Sequence, residues 1–291
     1  MVQLKKRLKA KNDFIFQRIF GRQENKDILL SLLNAILNLK GDDRLDDIEI
    51  VENTKLQKDR IEDKQGILDV RAKTVLGVQI NIEIQLINQY NMDKRTLFYW
   101  SKLFAEQLNA GQGFSELKKT ITINILDFDY TQLEKYHSVF HLREDDDKDY
   151  ILTDVLEIHF VELSKFRKLK QKPDIENPLE RWILFLENSP EEVLEVIKNH
   201  DPAIEKAEKV LDWLSSDEET RRLYDLREKA IHDEITRITG AKQEGIKEGI
   251  KEGVKKVAVN MLSNDIDIDT IAKMTDLPIK QIEEIKKDIL H

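Results

Sequence analysis

"GILDVRAKTVLGVQINIEIQL" (66–86) decides how this chain is read. From residue 79 onward, Gln79, Asn81, Glu83 and Gln85 alternate with Ile80, Ile82, Ile84 and Leu86. A period of two is that of a β-strand with one face in a core. Just upstream, Leu68, Val70 and Ala72 alternate with Asp69, Arg71 and Lys73. Two short consecutive runs with Gly77 between them predict a hairpin. Loop length then decides which residues meet. A two-residue loop at Leu76-Gly77 pairs residue 75 with 78 and puts Asp69 and Glu83 on opposite faces. A three-residue loop, Val75-Leu76-Gly77, pairs 74 with 78, sets Asp69 opposite Glu83, and places Gly last, where a left-handed residue is wanted. Only this register also aligns Leu68 with Ile84, Val70 with Ile82 and Ala72 with Ile80, so the apolar pattern selects it.

Directly opposed side chains have Cβ atoms ~5 Å apart. Two carboxylates at that distance repel by roughly 3 kcal/mol at an effective dielectric of ~20. One of them is protonated, a cation lies between them, or a nearby Arg or Lys neutralises them. Gln85 shares their face; its amide can orient a water or a phosphate but is no strong base. Oxygen ligands of this kind suit magnesium or manganese. A second reading stays open, an exposed polar sheet face whose acids are paired by Arg71 or Lys73.

Outward from the hairpin, "NDFIFQRIFG" (12–21) and "NKDILLSLLNAILNLKG" (25–41) carry apolar residues at helical spacing, with Gly21 and Gly41 as stops. Asp13 is expected to cap the first helix. Asn34 is expected to be a buried hydrogen-bonding residue. Strands at 48–56, 66–74 and 78–86 precede a helix over 94–111, and further strands fall near 118–126, 137–142 and 151–162. This order predicts an α/β fold with a mixed central sheet flanked by helices. The acid run "REDDDKDY" (143–150) reads as a solvated hairpin loop. From residue 177 onward the pattern is helical, with Trp182, Leu186 and Trp213 read as core. His137 and His141 form no recognisable metal set with a third ligand.

Hydrophobic residues make up 40% and charged residues 35% of the 291, a globular balance with enough apolar material for a sizeable core. The chain has no cysteine, which excludes disulfides, thiolate zinc sites and cysteine nucleophiles. No apolar run is long enough to span a bilayer. The basic start, "MVQLKKRLKAKN", lacks the apolar segment of a signal peptide, so a cytoplasmic location is expected. Its cations read as a solvated, frayed terminus or as a local nucleic-acid patch. A net charge of -9 argues against coating nucleic acid by bulk electrostatics. No P-loop, G-x-S-x-G or H-E-x-x-H motif occurs.

The C-terminal third holds an internal repeat, "EGIKEGIKEGVK" (244–255), which sets Gly245, Gly249 and Gly253 along one helix stripe. Homo-oligomerisation by helix pairing and a soft linker are both compatible with it. Beyond it, "IAKMTDLPIKQIEEIKK" (271–287) reads helix, turn at Leu277-Pro278, helix. Residues 241–291 carry nine basic and ten acidic side chains, which favours protein contact over DNA reading. The division expected is residues 1–225 as one domain and 226–291 as a helical tail.

At the hairpin the chain resembles the PD-(D/E)XK nuclease superfamily, and more closely its Rpn-type recombination-promoting nuclease and transposase family. The carrying elements are Asp13-Phe14-Ile15-Phe16, "LLSLLNAIL" (29–37), Leu68-Asp69-Val70, Ile82-Glu83-Ile84-Gln85, and Arg95 with Tyr99 four residues on. They stand in the family's order over roughly residues 11 to 225. The resemblance implies a restriction-endonuclease-like fold and a metal-dependent DNA endonuclease with Asp69 and Glu83 as magnesium ligands, manganese being a second option. Gln85 stands where the wider superfamily has lysine, as is usual in the Rpn-type family. Arg95 and Tyr99 share a helix face and either contact the scissile phosphate or brace the hairpin.

Overall fold

The alternating isoleucines lie on one strand in the computed structural model, which describes residues 7–51 and 70–289. Six strands form one mixed sheet among the described residues: β1 (Ile48–Ile50), β2 (Val70–Thr74), β3 (Gln79–Gln85), β4 (Thr120–Leu126), β5 (His137–Arg143) and β6 (Ile151–Glu162). Their spatial order is β1-β2-β3-β4-β6-β5. The β3–β4 and β4–β6 pairs are parallel, and the other pairs are antiparallel.

The β2–β3 ladder has the register chosen by hydrophobic patterning, with Val70 opposite Ile82 and Ala72 opposite Ile80. Gly77 closes the three-residue loop at φ +85° and donates its N–H to the Thr74 carbonyl at 2.9 Å. A non-glycine residue in this left-handed region costs roughly 1–2 kcal/mol. Val75 and Leu76 sit exposed at the tip, apolar residues tolerated because the loop, not the core, holds them. The acid run 143–150 is the exposed β5–β6 connection, tied by Arg143 Nη1 to the Lys148 carbonyl at 2.6 Å.

Ile80, Ile82 and Ile84 share a face with Ile121, Ile123 and Ile125 of β4, and all six are buried in the main core. Helices α1 (Asp13–Phe20) and α2 (Lys26–Ile36) contribute Ile15, Phe16, Ile19, Phe20 and Leu32 to that core. Each such side chain, fully buried, contributes about 1.5–3 kcal/mol. Helix α3 (Met92–Ala105) lies instead against the polar faces of β3 and β4. After the short α4 (Leu163–Arg167), helix α5 (Pro178–Leu186) brings Trp182 edge-on to Phe20, centroids 5.6 Å apart. Helices α6 (Glu191–His200) and α7 (Pro202–Ser216) follow.

Four local expectations need correction. The cap of α1 is Asn12, whose side chain accepts from Phe14 N (3.1 Å) and Ile15 N (3.4 Å). Asp13 lies inside the first turn, buried, and takes a two-pronged ion pair from Arg227. Helix α2 ends at Ile36, well before Gly41, because Asn38 adopts φ +53° and the Leu39 N–H returns to the Asn34 carbonyl. Trp213 is 64% exposed. Helix α7 buries Ile204, Ala207, Leu211 and Leu214, and position 213 falls on the opposite side of that stripe. Finally, the described basic residues near the start are anchored: Arg7 to Glu208 (2.6 Å), Lys9 to Glu228 (3.1 Å), Lys11 to Asp127 (2.9 Å). Asn34 meets its expectation, exchanging hydrogen bonds with the Leu45 backbone at 3.0 and 2.8 Å.

The chain divides into two compact units, one ending at Lys229 and the other starting at Ala230. Helix α8 (Glu218–Ser263) runs through that division. The second unit has its own small core of Ala258, Ile271, Ile282 and Ile285, built by the end of α8 with α9 (Ile268–Thr275) and α10 (Ile279–Ile289). Asp276, at φ +55°, makes the turn between α9 and α10. Gly245, Gly249 and Gly253 lie in α8, and a Cβ added at any of them meets nothing within 4 Å. Among the described residues no helix is long and apolar enough to cross a membrane.

Candidate active site

The polar face of β3 carries Asn81, Glu83 and Gln85, and β4 lines it up with Thr122, Asn124 and Leu126. Glu83 is completely buried. Its Oε1 accepts from Arg95 Nε at 2.8 Å, Arg95 Nη2 at 2.6 Å and Gln85 Nε2 at 3.0 Å. A carboxylate taken out of water is strongly destabilising unless a charged donor replaces its hydration, and Arg95 supplies that donor. The Arg95 guanidinium also faces the Tyr99 ring, 5.4 Å from its centroid, one helical turn along α3.

Helix α3 is fastened to the sheet by polar contacts. Asn124 Nδ2 donates to Thr96 Oγ1 at 2.9 Å and to the His159 carbonyl at 3.1 Å. Trp100 Nε1 donates to the Thr120 carbonyl at 2.9 Å. Thr96 follows Arg95, and Trp100 is four residues beyond it, so these bonds set the height at which Arg95 meets Glu83. Around them Asn81 Nδ2, Thr122 Oγ1 and Asn124 Oδ1 are buried with no hydrogen-bond partner among the described residues.

Of the residues singled out in the sequence, Glu83, Gln85, Arg95 and Tyr99 come together here. Asp69 lies outside the described residues, one position before the first rung of the β2–β3 ladder. Arg71, considered above as a partner for the acids, donates to Glu106 at 3.2 Å, while Glu83 is held by Arg95. Sequence reasoning missed Asn124 and Thr96. "TITINIL" (120–126) alternates polar and apolar residues just as β3 does, and that signal could have found Asn124.

In its donor chemistry the face fits a hard divalent cation: a buried carboxylate, the Gln85 amide and the Asn124 Oδ1 are all oxygen donors. Among the described residues no group of three or more His, Asp or Glu is arranged to hold a metal.

Histidines cluster elsewhere, on the isoleucine side of β5 and β6. His137 Nε2 is 2.9 Å from His159 Nδ1, whose Nε2 is 2.6 Å from Glu157 Oε1. Glu157 Oε2 also meets His141 Nε2 at 3.1 Å and Lys119 Nζ at 2.6 Å. Burial pushes the Glu157 carboxyl up, but the hydrogen bonds from His159 and Lys119 outweigh it and hold the group well below the usual carboxylate range. Burial, then repulsion from His159 and Lys135, lowers the His137 pKa to about 4, against a partial opposing pull from Glu157.

A family model described as PD-(D/E)XK nuclease family transposase matches residues 10–241. No curated protein and no solved structure matches the chain.

Two outcomes follow from this geometry. Arg95→Met leaves the buried Glu83 without its cation and lowers stability by about 3–5 kcal/mol, read from the urea midpoint; a loss below about 1 kcal/mol contradicts the pairing's importance. The folded pKa of His137 lies below its ordinary value, so the unfolded chain binds the extra proton. Its contribution is intact above pH 6.5 and is lost as pH falls from 6.5 towards about 4. Melting temperature should therefore fall across that window, and His137→Gln should flatten the slope between pH 6.5 and 5.

Proposed function

The chain belongs to the PD-(D/E)XK nuclease family transposases, and from that premise we propose that it is a cytoplasmic, metal-dependent endonuclease hydrolysing DNA phosphodiesters. The observation that carries this reading is Glu83, a carboxylate with no solvent exposure in the middle of a central strand. Such a group is costly for stability, which favours a chemical reason for its placement. Asp69 is the second acid of this reading: the hairpin register expected from the sequence sets it opposite Glu83, and the family resemblance implies its role as a metal ligand. Asp69 and Glu83 would hold magnesium or manganese, which would supply a water of lowered pKa and positive charge to offset that on the phosphate in the transition state.

The chain's own groups do the rest. Glu83 presents a carboxylate whose orientation is set by Arg95 and Gln85. Gln85 can orient a water through its amide but takes no proton, so the proton leaves to solvent or to a phosphate oxygen. Arg95, over the Tyr99 ring, brings a positive charge beside Glu83, chemistry suited to a phosphate bound at that carboxylate. We assign Arg95 and Tyr99 to substrate binding on that ground.

Gln85 favours one alternative, a catalytically weak or inactive nuclease-like protein that binds DNA or regulates through its tail. A helical tail whose Ile246 and Ile250 are exposed beside the glycine stripe would also suit a homo-oligomer in either reading.

Purified protein with magnesium should nick supercoiled plasmid, and Asp69→Ala or Glu83→Gln should abolish nicking. Equal cleavage by variant and wild type overturns the assignment. DNA binding without cleavage in magnesium and in manganese favours the alternative.

A further inference from the structure

Helix α7 presents Lys206, Lys209, Val210 and Trp213 along one face at intervals of three and four residues. These line a groove of about 530 Å³ whose other wall is Arg18, Arg22, Glu24 and Asn25, from the end of α1 and the turn after it. The groove belongs to the helical layer packed on the isoleucine side of the sheet, because α1 buries Ile15, Phe16, Ile19 and Phe20 in that core. Glu83 points from the opposite side of the sheet. The two sites are therefore separate.

The groove's chemistry differs from the surface around it. The chain has a net charge of -9, yet four cations and one carboxylate line this concavity. Lys206 is engaged by Asp27 at 2.6 Å and Lys209 by Glu205 at 2.6 Å. Arg18 and Arg22 make no ion pair among the described residues; Arg18 lies over the Phe14 ring at 5.0 Å. Beside them Trp213 exposes 64% of its surface, a large cost for an indole unless something covers it. Cations with an open aromatic ring form the recognition set for a single nucleic-acid strand: guanidinium and ammonium groups take phosphates, and the indole stacks an unpaired base.

We propose that this groove binds single-stranded DNA, as a second contact remote from the cleavage site. Trp213 stacks a base, and Arg18 and Arg22 hold the flanking phosphates. Such a contact would retain a displaced strand after the duplex is opened or cut. The choice of DNA rests on the nuclease reading, whereas the groove's fit to a nucleic-acid strand does not.

The test uses the full chain with EDTA, so that no cleavage occurs, and the anisotropy of a fluorescein-labelled oligothymidylate of about 12 nucleotides, within the usual span of such sites. Trp213→Ala should weaken binding about tenfold, the scale of one lost base stack. Arg18→Gln with Arg22→Gln should lower both the affinity and the slope of log affinity against log salt, by about 0.7 for each phosphate contact removed. Lys247→Gln with Lys251→Gln, in the tail, should leave binding unchanged. The proposal is overturned if the groove variants bind like wild type, if only the tail variant weakens binding, or if Trp213→Ala breaks a dimer seen by light scattering without altering DNA affinity. Because Trp213 is exposed, its variant should keep the wild-type melting temperature. Plasmid nicking is a separate readout, so loss of either proposal leaves the other standing.

Discussion

A carboxylate with no access to water in the middle of a sheet constrains everything near it. Left alone, Glu83 would cost several kcal/mol, so a cation has to be delivered to it at hydrogen-bonding distance. Arg95 is that cation, and it comes from a helix rather than from the neighbouring strand. Helix α3 must therefore lie across the polar face at one height and one rotation. The Asn124–Thr96 and Trp100–Thr120 bonds fix both. The parallel pairing of β3 with β4 gives this helix its place, since parallel neighbours need a long crossover and a crossover helix covers a sheet face.

The sheet separates two tasks by side. One side packs isoleucines against α1, α2 and α5 and supplies stability. The other carries buried amides and hydroxyls together with two buried acids, Glu83 and, at the end of β6, Glu162, groups that add little to stability. A protein can keep such a face only when its other face is strongly apolar. The two sides of QINIEIQ are thus one design, in which the strand's apolar half offsets the cost of burying its polar half.

Much of this was legible from residue order because strand periodicity is strict. The hairpin register and the three-residue loop follow from alternation, and the mixed sheet from the order of helices and strands; a one-residue error would have exposed every isoleucine. Three things were less legible. Asn12 and Asp13 are both able to cap a helix, and only the distant Arg227 decides which one is drawn inside. Trp213 looks like core by composition, yet its angle on α7 puts it outside. The partner of Glu83 stands twelve residues away on another element, where strand pairing says nothing. In each case the deciding contact is tertiary. Local pattern sets which face a residue takes, but not what waits there.

The loop at 75–77 has an evolutionary consequence. Side chains on β2 change sides with every residue, so the loop acts like a reading frame for the sheet. Removing or adding a single residue there would turn Arg71 and Lys73 inward and Val70 and Ala72 outward, or force the pairing to slip. Gly77, at φ +85°, holds that frame with no side chain of its own. Lineages of this protein can then tolerate many substitutions on the exposed tip at Val75 and Leu76, but almost no change in its length. Conservation in this hairpin would be written in spacing before it is written in letters.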